Sequence, residues 1–402
     1  MKGWQTKTLG EVLEKTATAN PLLTPEAEFD YIDVSSVSNE SFQIEETQRL
    51  LGKDAPSRAR KQVRTNDLIF ATIRPTLRRI AIVPEKFDQQ VCSTGYFVLR
   101  PKPLIDYRFM YHWLFSAEFM GQMEALQKGA SYPAVTDAEV RAQKIPFPPL
   151  PEQHRIVAIL DAAFDHIATA RANCEANLLN ARAIFESHLQ GVFTQGCKDW
   201  HKTKLKDLTS KIGSGATPRG GEESYKSEGI SLVRSLNIHD FGFKYRKLAY
   251  LDDAQANELS NVKLQSQDVL LNITGASVAR CCIVPENVLP ARVNQHVSII
   301  RPLADKLDAE FLHLLLISKT YKDQLLQTGS EGGSTRQAIT KAQIQDFVIE
   351  YPTKVAEQKA IVVKLNTMLA ETQRLESLYQ RKLQALDDLK KSLLHQAFSE
   401  LL

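Results

Sequence analysis

The stretch GSGATPRGG (213–221) comes closer than the rest of the sequence to a nucleotide-binding motif. Glycines at fixed spacing in such loops let backbone N–H groups cradle phosphates. Gly215 and Gly220 have that spacing, but Gly221 stands where a phosphate-binding lysine would follow, and no strong strand precedes the loop. The stretch therefore predicts a glycine-rich turn, and we expect no nucleotide site in it.

Other catalytic signatures are missing from the sequence. It has no GxSxG nucleophile elbow, no HExxH zinc motif and no protein-kinase motif set. The PP dipeptide at 148–149 is not the Asn/Asp-Pro-Pro-aromatic motif of amino-methyltransferases, because Phe147 precedes it and Leu150 follows it. The histidines are scattered, and His296 and His313 lie in apolar runs typical of core residues. We therefore expect no catalytic site and no metal site in this chain.

The composition is that of an ordinary globular chain. Its 402 residues, 43% of them hydrophobic, are enough for two to three domains of roughly 100–200 residues each. The net charge of +3 is mildly basic, so nucleic-acid binding would depend on local patches or on a partner. The cysteines lack metal-ligand spacing and indicate free thiols in a reducing cytoplasm. The sequence shows no run of roughly 18 apolar residues and no signal peptide, so we expect no membrane span.

The chain contains two copies of one plan. VRTNDLIFATIRPTLRRIAIVPE, from residue 63, matches LQSQDVLLNITGASVARCCIVPE, from residue 264. Asp67 corresponds to Asp268, and the later segments FVLRP and SIIRP, then AVTDAEV and AITKAQI, match in the same order. A period of about 200 residues is too long for a solenoid. It indicates a duplicated unit, namely a globular domain followed by a long helix.

Each globular copy is predicted to be mixed α/β. Short β-rich runs such as DLIFATI, RIAIVPE and YFVLRP are separated by proline and glycine. Apolar residues at spacings of three and four predict helical segments over 106–126 and 308–326. Each copy then has a Gly/Ser-rich loop, KGASYPAV (128–135) and GSEGGSTRQAI (329–339).

Two long helices should follow the two domains. Prolines before PEQHRIVAIL mark a helix start, and apolar residues then alternate at steps near four and three, as in coiled coils. We expect spacer helices over 149–196 and 353–402, which leaves domains over 1–148 and 197–352. The predicted seam consists of Ile156, Leu160, Ile167 and Leu178 in the first helix and Ile361, Leu365, Met368, Leu375, Leu386, Leu389 and Leu393 in the second.

Antiparallel pairing of these helices would give the chain an internal pseudo-two-fold axis. About forty residues at 1.5 Å rise make a rod of roughly 60 Å, which would hold the two domains at a fixed distance. Phe164 and Ile184 lie off the seam of the first helix, which carries few charges. Its outer face is therefore a candidate surface for a partner protein.

This order of two variable α/β domains and two similar helices resembles the specificity subunit of type I restriction–modification systems. The motifs that carry the resemblance are PPLPEQHRIVAIL and AEQKAIVVKL in the helices, the paired endings LQGVF and LHQAF, and the domain openings WQTKTLGEVLEK and WHKTKLKDLTSK. GSGATP and LVRSLNI are also typical. The resemblance extends over essentially the whole chain, and its specificity comes from the order and duplication of the motifs.

The resemblance implies a DNA-reading protein without catalytic activity or a cofactor of its own. Each globular domain would be a target-recognition domain for one half of a bipartite site in double-stranded DNA, and the helices would set the spacer and dock two modification subunits. Those subunits would bring S-adenosylmethionine and methylate adenine. Restriction subunits would add ATP- and Mg-dependent translocation and DNA cleavage, all in the cytoplasm.

Exposed loops that differ between the copies are where base contacts are expected, because base edges are read by a few polar side chains. Arg74 in the first copy corresponds to Gly275 in the second, so the two domains should read unlike half-sites of an asymmetric target. Arg79 and Arg280 match each other, and a shared structural or phosphate-binding role suits them better. The candidate DNA contacts are Arg74, Arg78, Arg79, Ser131, Tyr132, Thr217, Arg219, Lys244, Arg246, Lys247, Thr274, Ser277, Arg280, Ser334, Thr335 and Arg336. A basic cluster that could contact phosphate is formed by Arg58, Arg60, Lys61 and Arg64.

Two other functions remain open from the sequence alone. The chain could be a scaffold in which a coiled-coil rod carries two peptide-binding domains without nucleic acid. It could also be a self-sufficient nuclease or methyltransferase, although its motifs argue against this. Within the DNA-reading interpretation, service in a modification-only system also stays open.

Overall fold

A computed structural model of the protein describes residues 3–129, 131–194, 200–330, 338–399 and 401–402. The chain divides into two compact units. Unit 1 comprises Met1–Glu175 together with Arg381–Leu402, and unit 2 comprises Ala176–Gln380. Each unit therefore holds one globular domain, a part of the first long helix and a part of the second.

In the first half, the described residues form nine strands and five α-helices. The strands are β1 (Gln5–Thr8), β2 (Glu28–Ile32), β3 (Gln48–Leu51), β4 (Ala59–Gln62), β5 (Leu68–Ala71), β6 (Ile80–Ile82), β7 (Val91–Ser93), β8 (Tyr96–Leu99) and β9 (Lys144–Phe147). The helices are α1 (Leu9–Val12), α2 (Tyr107–Leu114), α3 (Ala117–Leu126), α4 (Asp137–Arg141) and α5 (Leu150–Thr194).

The second half repeats this order with additions. Its strands are β10 (His201–Lys204), β11 (Thr209–Ser214), β12 (Ile230–Val233), β13 (Ile238–His239), β14 (Gly242–Phe243), β15 (Ala249–Leu251), β16 (Val269–Asn272), β17 (Cys281–Ile283), β18 (Ala291–Val293), β19 (Val297–Pro302) and β20 (Val348–Tyr351). Its helices are α6 (Asp253–Glu258), α7 (Ala309–Ile317), α8 (Lys319–Ser330), α9 (Lys341–Asp346) and α10 (Val355–Phe398).

Each unit combines strands and helices, which confirms the mixed α/β fold that the sequence predicted, and each has one sheet that contains a parallel pair. Unit 1 has the strand orders β3-β2-β7-β4, β6-β5-β8 and β1-β9, and β2 runs parallel to β7. Unit 2 has β11-β19-β16-β17, β15-β12-β18, β10-β20 and β13-β14, and β12 runs parallel to β18. The parallel pairs are equivalent, so the duplication seen in the sequence is a duplication of topology.

Strand β5 shows how the core of unit 1 is layered. Its four residues, LIFA, are all buried, and successive side chains of a strand point to opposite faces. Leu68 and Phe70 pack in the cluster that includes helices α2 and α3, whereas Ile69 and Ala71 pack in the cluster on the other side. Strand β5 is therefore covered on both faces, which explains its uninterrupted apolar sequence.

Each long helix is fixed to its preceding domain by one buried glutamine. The side chain of Gln153 accepts a hydrogen bond from Asp106 N at 2.8 Å and donates to the carbonyls of Leu104 and Pro148. Gln358 makes the equivalent set, accepting from Asp308 N at 2.7 Å. These are the glutamines of the repeated Glu-Gln motif, so that motif has an anchoring role in both copies.

Helices α5 and α10 pair antiparallel inside each unit. In unit 1, Arg155 donates to the Leu402 carbonyl and Arg171 lies 2.6 Å from Asp387, so the contacts advance along α5 and go back along α10. In unit 2, Arg182 lies 3.2 Å from Glu376. The predicted antiparallel coiled coil is confirmed.

The ends of the helices pack on aromatic residues of the domains. Phe398, at the end of α10, lies 5.2 Å from Phe109 between ring centroids in unit 1. Phe193, at the end of α5, lies 5.5 Å from Phe311 in unit 2. The paired endings LQGVF and LHQAF therefore make equivalent aromatic contacts with the two domains. Each one completes the core of the unit in which its helix ends.

The predicted seam is correct except near the end of α10. The seam residues other than Leu389 are buried or half-buried, whereas Leu389 is 47% exposed. Lys390 lies inward instead, with its ammonium 5.0 Å from the ring centroid of Phe164. Phe164 also packs on His112 at 5.5 Å, so Phe164 belongs to the interior of unit 1 and not to an outer face. Ile184 is exposed as expected.

The helical segments predicted over 106–126 and 308–326 are each broken into two helices. Ser116 separates α2 from α3, and its side chain accepts a hydrogen bond from Phe119 N, which caps the new helix. Ser318 separates α7 from α8 at the equivalent place in the second half of the chain. A serine favours a helix start over a helix interior because its hydroxyl competes for backbone partners, and the spacing of apolar residues did not reveal this.

Burial explains the state of the thiols. Cys92, Cys281 and Cys282 are buried and free, and Cys174 is free and half-buried; Cys197 lies outside the described residues. Burial raises the pKa of the Cys92 thiol to about 12.

Among the described residues, no helix has both the length and the apolar character needed to cross a membrane.

Candidate nucleic-acid interface

In unit 1 the fold brings two separate loops together at Arg74. Its guanidinium lies 5.0 Å from the ring centroid of Tyr132 and donates to the carbonyl of Ser131 at 3.3 Å. The Arg74 backbone N–H donates to the carbonyl of Pro133 at 2.7 Å. Tyr132 is 72% exposed, so a planar cation stacked on an aromatic ring faces solvent. Such a surface suits both phosphate and base edges.

The turn after β5 positions Arg74 through an unusual backbone. Arg74 has φ of 49° and Arg78 has φ of 54°, both in the left-handed region, and they bracket a short 3₁₀ turn. Non-glycine residues pay for this conformation, and such strain concentrates at functional sites. Arg74 and Arg78 are both exposed, so the turn presents two arginines to solvent.

Arg79 differs from Arg74 and Arg78 because its guanidinium is hydrogen-bonded to backbone carbonyls within unit 1. Its side chain is half-buried and donates to the backbone carbonyls of Val34, Ser35 and Val37. Arg79 thus ties the turn after β5 to the loop after β2. This geometry favours the structural role that the match with Arg280 suggested over a base contact.

In unit 2 four side chains form a continuous hydrogen-bonded chain. The Thr217 hydroxyl donates to Oε1 of Gln295, Nε2 of Gln295 lies 3.1 Å from Nε2 of His296, and Nδ1 of His296 lies 2.6 Å from the Thr274 hydroxyl. Thr217 comes from the glycine-rich loop and Thr274 from the turn after β16. Two predicted residues from distant parts of the sequence therefore meet through Gln295 and His296.

The other predicted residues of this turn line an open cavity beside His296. The cavity measures about 420 Å³ and is lined by Ser235, Leu236, Thr274, Gly275, Ala276, Ser277, Arg280 and His296. Asn272 supports its wall, since its amide donates to the carbonyl of Ser235 and to the hydroxyl of Ser277. Thr274, Ser277 and Arg280, which the sequence suggested as separate candidates, therefore lie at one cavity.

Positive charge converges on the same side of unit 2. Burial lowers the pKa of His239, and the charges of Lys244 and Arg280 lower it further. Two of the predicted cations are therefore close enough to His239 to disfavour a third positive charge. Arg246 and Lys247 follow Lys244 in an exposed loop, so this region offers several cations to an anionic partner.

The backbone geometry explains why glycines occupy the glycine-rich loop. A Cβ at Gly215 would lie 1.7 Å from the carbonyl oxygen of Val293, and Gly220 and Gly221 have positive φ. The glycines thus allow the loop to cross strand β18 closely and to turn. The expectation that no strong strand precedes the loop is wrong, because β11 (Thr209–Ser214) leads directly into it. Arg219 is exposed at the tip of this loop.

The remaining predictions differ in outcome. Ser334, Thr335 and Arg336 lie outside the described residues. Lys61 is engaged inside unit 1, where it donates to the Tyr96 carbonyl and to Asp137, both at 2.7 Å, and Arg60 bonds to the side chain of Asn20. Arg58 and Arg64 are exposed, so only half of the basic cluster faces solvent.

Sequence reasoning missed Gln295 and treated His296 as a core residue. His296 is satisfied by hydrogen bonds, but it is half-buried in the site and not in the core. A usable signal was present, because these two residues correspond to Thr94 and Gly95 in the first copy. The difference between copies that identified Arg74 would have identified them too. His313 fits the prediction better, since it is satisfied by the Asp240 carbonyl at 2.8 Å.

Among the described residues, no three His, Cys, Asp or Glu side chains are grouped closely enough to hold a metal ion.

The model of the family described as "Type I restriction modification DNA specificity domain" matches residues 1–176 and 197–384. The chain is therefore similar to that domain twice, once in each copy.

Curated relatives and solved structures give the same result. The EcoBI specificity subunit of Escherichia coli is 23% identical over 349 residues, which are 78% of this chain and 69% of the relative. The EcoKI specificity subunit of Escherichia coli K12 is 23% identical over 332 residues, 76% of this chain and 68% of the relative. The crystal structure of the HsdS subunit from Thermoanaerobacter tengcongensis is 28% identical with a TM-score of 0.71, covering 100% of this chain and 98% of that one. A chain from a structural study of assembly and conformational transition in the type I R-M system is 28% identical with a TM-score of 0.85, covering 100% and 99%.

Proposed function

Since this chain belongs to the type I restriction–modification DNA specificity family, we propose that its two units read the two halves of one bipartite, asymmetric site in double-stranded DNA. The observation that carries this proposal is a contrast at one point of the duplicated fold. After β5, unit 1 presents Arg74 stacked on Tyr132. After β16, unit 2 presents Thr274 bonded to His296.

These two surfaces have different hydrogen-bonding chemistry. An arginine fork is a donor that pairs best with O6 and N7 of guanine, whereas hydroxyl and amide groups both donate and accept. The same backbone therefore offers unlike readers to the two halves of the site. Surrounding cations such as Arg78 and Lys244 would contact phosphates and fix the register.

The proposal assigns catalysis to partner subunits. Two modification subunits would dock on α5 and α10, carry S-adenosylmethionine and methylate an adenine in each half-site. Restriction subunits, where the system has them, would use ATP and Mg²⁺ to translocate and cut DNA. The chain itself would supply recognition alone, in the cytoplasm with its DNA. The family match leaves no support for a scaffold that does not bind DNA.

The test is a map of methylated adenines across the host genome, with the gene intact and deleted. We expect one bipartite motif with unlike halves to disappear on deletion and to return on complementation. An intact motif after deletion, in a strain that expresses the modification subunit, would contradict the proposal. Incubation of the purified chain alone with labelled S-adenosylmethionine and DNA should transfer no label, and transfer would refute the assignment of catalysis to partners.

A further inference from the structure

We propose that Gln295 determines specificity by reading an adenine in the half-site of unit 2, and that Thr217 and His296 hold its amide in position. The inference rests on the proposed function and names the group that performs one part of it. Gln295 lies in the turn between β18 and β19 and its side chain is exposed. It was not among the residues that the sequence suggested.

Hydrogen bonds fix the side chain before any ligand is present. Oε1 of Gln295 accepts from the Thr217 hydroxyl, and Nε2 lies 3.1 Å from Nε2 of His296. Because the amide nitrogen of Gln295 is a donor, Nε2 of His296 accepts, and its Nδ1 carries the proton that is donated to Thr274 at 2.6 Å. An exposed glutamine normally samples many rotamers at an entropic cost to binding. This chain of contacts reduces that cost.

The held amide still has the groups that read adenine. A primary amide has two N–H donors and an oxygen with two lone pairs. The contacts among the described residues use one of each, so one donor and one acceptor remain for a ligand. Adenine presents the complementary pair in the major groove, an acceptor at N7 and a donor at N6, and glutamine is a bidentate partner for it.

The equivalent turn in unit 1 cannot perform this role. The backbone is the same in both, since Thr72 N donates to the Gly95 carbonyl at 2.9 Å and Ile273 N to the His296 carbonyl at 3.0 Å. A Cβ at Gly95, however, would lie 2.5 Å from Cγ2 of Val34. Unit 1 therefore excludes a side chain where unit 2 has His296, and the amide support exists in one copy only.

The surroundings suit a DNA ligand. His296 lines the cavity that also contains Arg280 and Ser277. Lys244 N donates to the carbonyl of Asn237 at 2.8 Å, in the same short turn as the cavity residue Ser235. Cations near a base-reading side chain hold the phosphates that flank the base. A polar reader with cationic neighbours is therefore more consistent with a duplex than with an apolar peptide.

The experiment measures base preference in the complete complex of this chain with its modification subunits. Four duplexes, one for each base pair, are compared at every position of both half-sites, and the result is a ratio of affinities. Because each ratio is taken within one variant, an overall loss of affinity does not obscure it. We expect the wild type to prefer adenine at one position by roughly 5- to 150-fold, the range for one bidentate contact.

Substitutions distinguish a Gln295 that reads adenine from a Gln295 that has no part in base preference. Gln295→Ala should reduce that preference to near unity, and Gln295→Glu should shift it toward cytosine, whose N4 donates to a carboxylate. Thr217→Val removes the hydroxyl that holds the amide and should weaken the preference, whereas Thr217→Ser keeps a hydroxyl and should retain the preference. The exposed Gln324 on α8 supplies a matched control, and Gln324→Ala should leave the ratios unchanged. A wild-type ratio in Gln295→Ala overturns this inference and leaves the proposed function intact, whereas a wild-type complex without preference in either half-site contradicts the proposed function itself.

Discussion

Arg100 and Asp67 form a buried, bidentate ion pair that joins the end of β8 to the start of β5. Nε of Arg100 lies 2.8 Å from Oδ1 of Asp67, and Nη2 lies 2.7 Å from Oδ2. The Asp67 side chain is 2% exposed. Arg301 and Asp268 repeat the pair at 2.7 and 2.8 Å in unit 2. Asp67 and Asp268, which match each other in the sequence, therefore belong to one structural element that both copies share.

Removing the arginine of this pair should strongly destabilise unit 1. Arg100→Ala leaves a buried carboxylate without its partner, which costs about 3–5 kcal/mol in the free energy of unfolding. The measurement is urea unfolding of the full chain followed by tryptophan fluorescence, with Trp200→Phe as background so that Trp4 and Trp113 report on unit 1. The control is Arg49→Ala, because Arg49 is 61% exposed in its surface pairs and should cost at most about 1 kcal/mol. Equal costs for the two variants would show that the buried pair is not special.

The glutamine anchors should be sensitive to truncation. Gln153→Ala leaves the Asp106 N–H and the carbonyls of Leu104 and Pro148 without the partner that the structure gives them, at about 1–3 kcal/mol for such buried groups. Thermal unfolding and hydrogen exchange at the start of α5 measure the effect. Gln384→Ala is the matched control, since Gln384 is exposed on α10. A result in which the control loses as much stability as Gln153→Ala would refute the anchoring role.

The Arg74 turn should read bases in one half-site only. Arg74→Ala should lower binding to the cognate site by about 1–3 kcal/mol and relax the preference at one position of the first half-site. The second half-site should stay unchanged, because its readers belong to unit 2. Competition binding with single-position duplex libraries, read by sequencing, measures both halves at once. Arg49→Ala controls for loss of charge in unit 1, and a uniform loss across all positions in Arg74→Ala would reassign Arg74 to phosphate.

The stability of unit 1 should depend on pH through His112. Burial, then the charges of Arg108 and Lys390, lowers its pKa to about 4; Arg108 shares the Asp161 carboxylate with it, so that carboxylate is balanced without a proton on the imidazole. The folded pKa lies below the unfolded value of about 6.5, so His112 contributes stability above pH 6.5 that is lost as the pH falls toward 4. The slope should be at most about 1.4 kcal/mol per pH unit.

The same experiment is checked by substitution. His112→Gln should flatten the pH dependence of the free energy of unfolding between about pH 6.5 and 4. His154 is exposed beside Asp106, and His154→Gln should leave the profile almost unchanged. A profile for His112→Gln that parallels the wild type would mean that other groups cause the dependence.

Helix length should set the spacer of the target. One extra heptad in α5 after Glu175 and one in α10 after Gln380 keeps the seam in phase and adds about 10 Å of helix, or about three base pairs at 3.4 Å each. We expect the methylated motif to lengthen its spacer or to lose methylation. Replacing seven residues at the same places without changing the length is the control. A lengthened chain that methylates the original motif would refute the ruler.

The larger features of the fold followed from the sequence because duplication doubles every signal. The pattern of β-rich runs, the two seams and the antiparallel pairing were all predicted. The break at Ser116 was not, because a capping hydroxyl acts locally within an otherwise continuous apolar pattern. Leu389 was misplaced for a related reason, since Lys390 places its ammonium over the Phe164 ring, and a cation–π contact of this kind can hold a lysine at a seam.

The candidate site was predicted unevenly. Arg74, Ser131 and Tyr132 were chosen separately, and the fold brings them together. Gln295 escaped because its role depends on contacts with Thr217 and His296, which lie 78 residues before it and directly after it. Composition and spacing describe which groups are present, whereas support by neighbours is a property of the tertiary structure.

The placement of Phe398 has a consequence for synthesis on the ribosome. Phe398 completes the core of unit 1, yet it is translated after the whole of unit 2. At roughly 5–20 residues per second, about 200 intervening residues take roughly 10–40 s, during which the aromatic surface around Phe109 stays uncovered. Unit 2 has no such delay, because Ala176–Gln380 is continuous. The half of the protein that is made first is therefore the last to close, and a nascent chain stalled before Arg381 would carry one finished reader and one that still needs protection.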